Sequence, residues 1–124
     1  MWILKWTSKY ESRLKQLIKE HPDEVEQTLR NLDIYLTSLK CGVKPMQIVK
    51  SAFVRNEQLG IHAIDQSPLK KGKKAIRLYV FPSEAEQILY LITIGDKDQQ
   101  SSDVKDCCKF VRDLRKELES RGAE

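Results

Sequence analysis

The sequence is short of the residues that metal and disulfide chemistry need. Its 124 residues include two histidines and three cysteines. No C-x-x-C pair occurs, and neither His21 nor His62 stands at ligand spacing from a cysteine, so no metal site is expected. Cys41, Cys107 and Cys108 are odd in number, and the vicinal pair lies in a helical pattern where adjacent thiols seldom bridge. That predicts reduced thiols and a cytoplasmic protein. Long apolar runs are also missing. Nothing approaches the roughly 20 residues of a membrane-spanning helix, and the apolar part of "MWILKWTSKYESR" is too short for a secretory signal. No cofactor is implied. With no internal repeat and no low-complexity segment, residues 1–124 read as a single domain.

What is present is a folded-protein composition with a mild basic excess. Apolar residues make up 40% and charged residues 32%, enough for a core and a busy surface. The formal net charge of +4 permits nucleic-acid contact without demanding it.

Along the chain, "WILKW" (Trp2 to Trp6) alternates as a short strand. Thr7 or Ser8 can cap a helix carrying Tyr10, Leu14, Leu17 and Ile18 at helical spacing. "HPD" breaks it, and Asp23 with Glu26 suggests a capping box for the next helix. Val25, Leu29, Leu32, Leu36 and Leu39 form its four-three seam, and Gly42 follows as a C-cap. Residues 43–58 are ambiguous between one or two helical turns begun by Pro45 and an irregular connection. From Leu59 the period becomes two: "LGIHAIDQ", "KKAIRLYVFP" and "QILYLITIG" read as three strands, the last two joined by a "SEAE" hairpin. Val104, Cys107, Cys108, Val111, Leu114 and Leu118 then mark a C-terminal amphipathic helix. The expected fold is α+β: an N-terminal strand, a helical hairpin, a three-stranded antiparallel meander and a C-terminal helix, with the helices mainly on one sheet face.

A hairpin symmetric about residues 84 and 85 pairs Arg77 with Ile92, Tyr79 with Tyr90 and Phe81 with Ile88. One face then carries Ile76, Leu78, Val80, Leu89, Leu91 and Thr93, and is the core face. The other carries Arg77, Tyr79, Phe81, Tyr90 and Ile92. It is either a half-exposed face with cross-strand aromatic pairs or a platform on which bases stack and Arg77 meets phosphate. Antiparallel geometry brings the end of the last strand beside "QSPLKKGKK", so Lys70, Lys71, Lys73, Lys74, Arg77 and Lys97 crowd one end of the sheet. The lysine run is either a solvated loop or an anion-binding rim. Gln100, just past Lys97, is a further candidate for RNA contact. His62, on the first meander strand, is either structural or a catalytic base or acid.

This element order resembles the RelE/ParE/HigB superfamily of toxin–antitoxin toxins over nearly the whole chain, most tellingly in "KKAIRLYVFPSEAEQILYLITIGDKDQQSSDVKDC". The resemblance implies a RelE-like fold and a toxin paired with a small cognate antitoxin. In one branch the activity is ribosome-dependent cleavage of messenger RNA; in another it is a block of DNA gyrase. Arg77 matches the arginine of the central strand and Lys97 the basic position just beyond the last strand. The sequence also departs from the pattern. His62 and Asp65 stand where a second basic residue is usual, the last helix has no tyrosine, and Tyr79 follows its arginine by two residues rather than three. The expectation is an endoribonuclease using Lys97, Arg77 and His62. Lys70, Lys71, Lys73, Lys74, Tyr79, Tyr90 and Gln100 would then contact RNA. The alternative is a non-catalytic RelE-like module that binds RNA, a ribosome or a protein.

Overall fold

The computed structural model describes residues 1–68 and 72–122. Within them the elements run β1 (Ile3–Trp6), α1 (Ser8–Glu20), α2 (Pro22–Lys40), α3 (Pro45–Ile48), β2 (Val54–Asn56), β3 (His62–Asp65), β4 (Ile76–Ser83), β5 (Ile88–Asp96) and α4 (Gln100–Gly122). The protein is α+β, with a five-stranded mixed sheet in the order β1-β5-β4-β3-β2. β1 runs parallel to β5, and every other neighbouring pair is antiparallel. Among the described residues no helix is long and apolar enough to cross a membrane.

The local chemistry explains the helix ends. Thr7 caps α1, its hydroxyl oxygen accepting from the Tyr10 N–H at 3.1 Å. At the α1–α2 break, Asp23 is not the cap that its spacing to Glu26 suggests. α2 begins one residue earlier, at Pro22, with His21 as an N-cap that makes no side-chain bond. Proline suits the first helical position because its φ is already helical and its missing N–H would have no partner there. Asp23 and Glu24 then sit in the first turn, where the helix dipole favours them. The ambiguous 43–58 stretch contains both α3, opened by Pro45 as expected, and the extra edge strand β2.

Three helices share a face. Tyr10, Leu17, Val25, Leu32, Tyr35, Leu39 and Ile48 bury against Ile64, Leu78, Val80, Leu89, Leu91 and Ile94. α4 lies on the opposite face, where Cys107, Cys108 and Val111 pack on Tyr79, Phe81 and Ile92. An amphipathic pattern tells which side of α4 is apolar but not which side of the sheet receives it.

The hairpin register also differs from the symmetric expectation. Arg77 pairs with Gly95, Tyr79 with Thr93 and Phe81 with Tyr90, and Ser83 with Ile88 closes the loop. The loop is shifted toward residues 84–87, where Gln87 takes a positive φ of 56°. Between the Tyr79–Thr93 and Val80–Leu91 pairs, β5 carries one extra residue, Ile92, as a bulge. Up to that residue the expected faces hold. Beyond it they invert, so Ile94 rather than Thr93 enters the α1–α3 core.

β1 accompanies β5 only from Ile88 to Leu91. Farther along, the outer edge of β5 would be bare, and α1 covers it. The Thr7 N–H donates to the Leu91 carbonyl at 3.2 Å and the Thr7 hydroxyl to the Ile92 carbonyl at 2.6 Å. Arg13 Nη1 donates to Thr93 Oγ1 at 3.2 Å and to Asp103 of α4. Lys9 pairs with Asp106 one turn farther along α4. α1 and α4, on opposite faces, are thus tied together around the sheet edge. Gly95 makes room for this tie: a Cβ there would meet Asp103 Oδ2 at 2.5 Å and Gln99 Oε1 at 2.8 Å.

Candidate functional site

Four neighbouring strands, β2 and β4 at their starts and β3 and β5 at their ends, meet at one rim of the sheet, and side chains there line a cavity of about 170 Å³. β2 contributes Arg55, β3 Asp65, β4 Arg77, and Lys97 follows β5. Asp65 sits opposite Arg77, and Arg77 opposite Gly95. The Lys97 N–H donates to the Ala75 carbonyl at 3.1 Å, which fixes the turn after β5 against the start of β4. Asp96 caps that turn, its carboxylate accepting from the Asp98 and Gln99 N–H groups.

The floor of the cavity is held by amides. Asn31 of α2 donates to the carbonyls of Asp65 (2.8 Å) and Ser67 (3.0 Å). Gln66 donates to the Lys74 carbonyl at 2.6 Å and accepts from the Ile76 N–H, bridging the strand ends. Asp65 uses both carboxylate oxygens: Oδ1 accepts from the Ser67 N–H at 2.8 Å, and Oδ2 stands 3.4 Å from Arg55 Nε. Arg77 is different. It is buried, yet among the described residues no carboxylate lies within ion-pair distance of its guanidinium. Lys97 is exposed at the mouth and likewise forms no ion pair among the described residues.

The other expected site residues scatter. His62 has its side chain on the α1–α3 face, where its Nδ1 and the Tyr35 hydroxyl are joined by a 2.7 Å hydrogen bond. Burial lowers its pKa to about 4, so the ring is neutral, and it is not a rim residue. Its pairing with Val80 places it on that face. Tyr79 is fully buried beneath α4, its hydroxyl has no hydrogen-bond partner, and burial pushes its pKa up to about 12. Tyr90 lies toward the hairpin end, where its hydroxyl donates to Glu86 at 2.9 Å and its ring meets Phe110 edge to face. α4 therefore closes the aromatic platform that an open second face would offer.

Of the rim lysines, Lys73 pairs with Asp23 at 3.2 Å and Lys74 with Asp98 at 2.8 Å. The Asp98 partner raises the Lys74 pKa and is itself held below the usual carboxylate range by Lys74. Gln100 opens α4 and is partly buried. Lys70 and Lys71 lie outside the described residues.

Two contributors escape a linear reading. Arg55 sits on a three-residue strand, too short for a period-two signal, although the apolar–apolar–basic–amide order of "FVRN" fits an edge strand. Asp103 reads as a helix N-terminal acid. It is instead fully buried against Arg13, with its second oxygen unpartnered. In comparisons with known proteins, no protein family, no curated protein and no solved structure matches the chain.

Proposed function

We propose that the rim cavity binds an RNA phosphodiester and that the protein is a toxin-like endoribonuclease acting on messenger RNA at the ribosome, held in check by a small antitoxin. The observation that carries this is Arg77, only 9% exposed and with no carboxylate partner among the described residues, at the base of a cavity edged by Arg55 and Lys97. A guanidinium removed from water without a counter-charge is costly, and an anion in the cavity relieves that cost. A phosphodiester offers two oxygens to its fork. The RelE-like element order supplies the class of anion.

Cleavage follows from the same groups. The ribose 2′-oxygen attacks the adjacent phosphorus while the P–O5′ bond breaks, leaving a 2′,3′-cyclic phosphate and a 5′-hydroxyl. Asp65 takes the 2′ proton, Arg77 with Arg55 stabilises the charge on the phosphorane oxygens, and Lys97 returns a proton to the departing O5′. His62 has no part in this scheme because its ring lies in the opposite core.

A second reading is favoured by the state of Asp65. Both of its oxygens are engaged, so the cavity has no unencumbered base. The protein would then hold RNA without cutting it. Inducible expression of the wild type, Arg77→Ala and Lys97→Ala separates the cases when growth and message integrity are followed beside RNA retention by the purified proteins. The wild type arrests growth and cuts messages, and both variants lose the effect. RNA retained but never cut selects the binding module. Wild-type behaviour of Arg77→Ala on every measure removes the rim as the site.

A further inference from the structure

We infer that the outer face of α4 is a second contact for RNA, a track for the phosphate backbone of the strand whose phosphodiester enters the rim cavity; this rests on the function proposed above. α4 turns Asp103, Cys107, Cys108 and Val111 toward the sheet. Lys105, Lys109, Arg112 and Lys116 are all exposed. Their four-three-four spacing places them within a sector of about 60° on the side opposite the buried residues, in a row about 16 Å long. Among the described residues none of the four forms an ion pair.

The acids of α4 do not neutralise this row. Asp103 is taken by Arg13, Asp106 by Lys9 and Glu117 by Arg121. Asp113 and Glu119 flank the row without reaching ion-pair distance. Like charges three and four residues apart destabilise a helix; Asp113 and Glu119 at the same spacings offset part of this repulsion, and a polyanion relieves the remainder. No aromatic side chain interrupts it, which points to backbone contact and sequence-independent binding rather than base stacking. Continuity supports the same ligand: α4 starts three residues beyond Lys97, so the helix that carries the row begins beside the rim cavity. A nucleic-acid strand carries a charge at every step, which suits a regular row of cations.

The test is anisotropy of a fluorescein-labelled 2′-O-methyl oligouridine of about 20 nucleotides, which cannot be cut, titrated over a range of salt. Four phosphate contacts on a single strand contribute about 3 to the slope of log affinity against log salt. The K105Q/K109Q/R112Q/K116Q variant keeps good helix formers throughout. It is expected to lose that contribution and at least about tenfold in low-salt affinity. K15Q/K19Q/K40Q/K50Q removes the same charge from other exposed positions and is expected to bind like the wild type. A wild-type slope in the α4 variant, an equal loss in both variants, or no binding by the wild type overturns the track, and the first of these is also the outcome if α4 serves an acidic protein. The rim is judged separately. Arg77→Ala abolishes message cleavage and lowers the slope by no more than about 1; cleavage that survives it refutes the rim while leaving the α4 result standing.

Discussion

The face of the sheet under α1, α2 and α3 buries Leu78, Val80, Leu89 and Ile94 among apolar helix residues, and the polar groups buried with them, Tyr35 with His62 and Glu24, Thr28 and Asn31 of α2, all find hydrogen-bond partners. The face under α4 buries Arg77, Tyr79, Thr93 and Asp103 beside two cysteines. Among the described residues the buried side-chain atoms without a partner, Tyr79 Oη and Asp103 Oδ2, both belong to this second face. One face is stabilised by a broad apolar area. The other has a smaller apolar cluster, adds the directed Arg13–Asp103 bond at its edge, and carries unpartnered polar groups at a cost. The difference follows from the pocket: Arg77 reaches the rim from the α4 side, so that side cannot be dry. The two faces of one sheet thus differ in how they satisfy the polar groups they bury.

The sharpest way to break this contrast is to remove one partner of the α1–α4 clasp. Asp103→Ala leaves Arg13 without its carboxylate partner, half-buried at the sheet edge, and is expected to lower unfolding free energy by about 3–5 kcal/mol. Leu78→Ala on the other face leaves a cavity and is expected to cost about 2–5 kcal/mol. Urea denaturation of both variants decides the point. If Asp103→Ala is nearly silent while Leu78→Ala is not, the directed bonds do not hold the α4 face.

The Tyr35–His62 pair beneath α2 gives a pH signature. The folded pKa of His62 is lowered to about 4 from 6.5, so the unfolded chain takes up a proton in a range where the folded ring refuses it. Stability therefore falls as pH drops from about 6.5 to 4, by roughly 3 kcal/mol, and this contribution levels off below. The Tyr35→Phe/His62→Leu variant removes both partners and should flatten this part of the curve. An unchanged slope in that variant would move the titration to another group.

A smaller effect is expected at Gly95. Gly95→Ala forces Asp103 and Gln99 away from the strand and is expected to cost about 1–3 kcal/mol. Coupling is the informative part. Combined with Asp103→Ala, the second loss should be much smaller than the first, because the clash falls on one oxygen and the clasp on the other oxygen of the same Asp103 carboxylate. Additive losses would separate Gly95 from the clasp.

Much of this fold was legible in the residues. The leucine seam of α2, the Pro22 break and the alternation of "IRLYVFP" each fix an element through a single strong local preference. Parity placed the core face of β4 correctly, and with it the burial of Leu78 and Val80. What escaped depends on non-local choices. β2 is too short to show a period. The Ile92 bulge inverts the last residues of β5 with no turn residue to announce it. The side of the sheet taken by α4 is decided by packing between segments far apart in sequence. The candidate site was legible in half. Arg77 and Lys97 share the rim cavity because strand order puts them there, but Arg55 joins them only through β2. His62 leaves because its parity matches Val80 and Ile64 rather than the rim.

The clasp around the β5 edge joins residues 90 and 97 positions apart, and Thr7 bonds 85 positions ahead. During synthesis β1 and α1 therefore emerge well before β5 and α4, the segments on which they dock. Closing loops this long is slow relative to forming local helices. Trp2, Leu4 and Leu14, which pack against the core in the folded protein, lack β5 as a partner until residues 88–96 have been made. The same schedule delays the rim, since Lys97 follows the strand against which β1 must dock. A chain interrupted before α4 lacks the clasp, although every residue that lines the rim cavity has already been made.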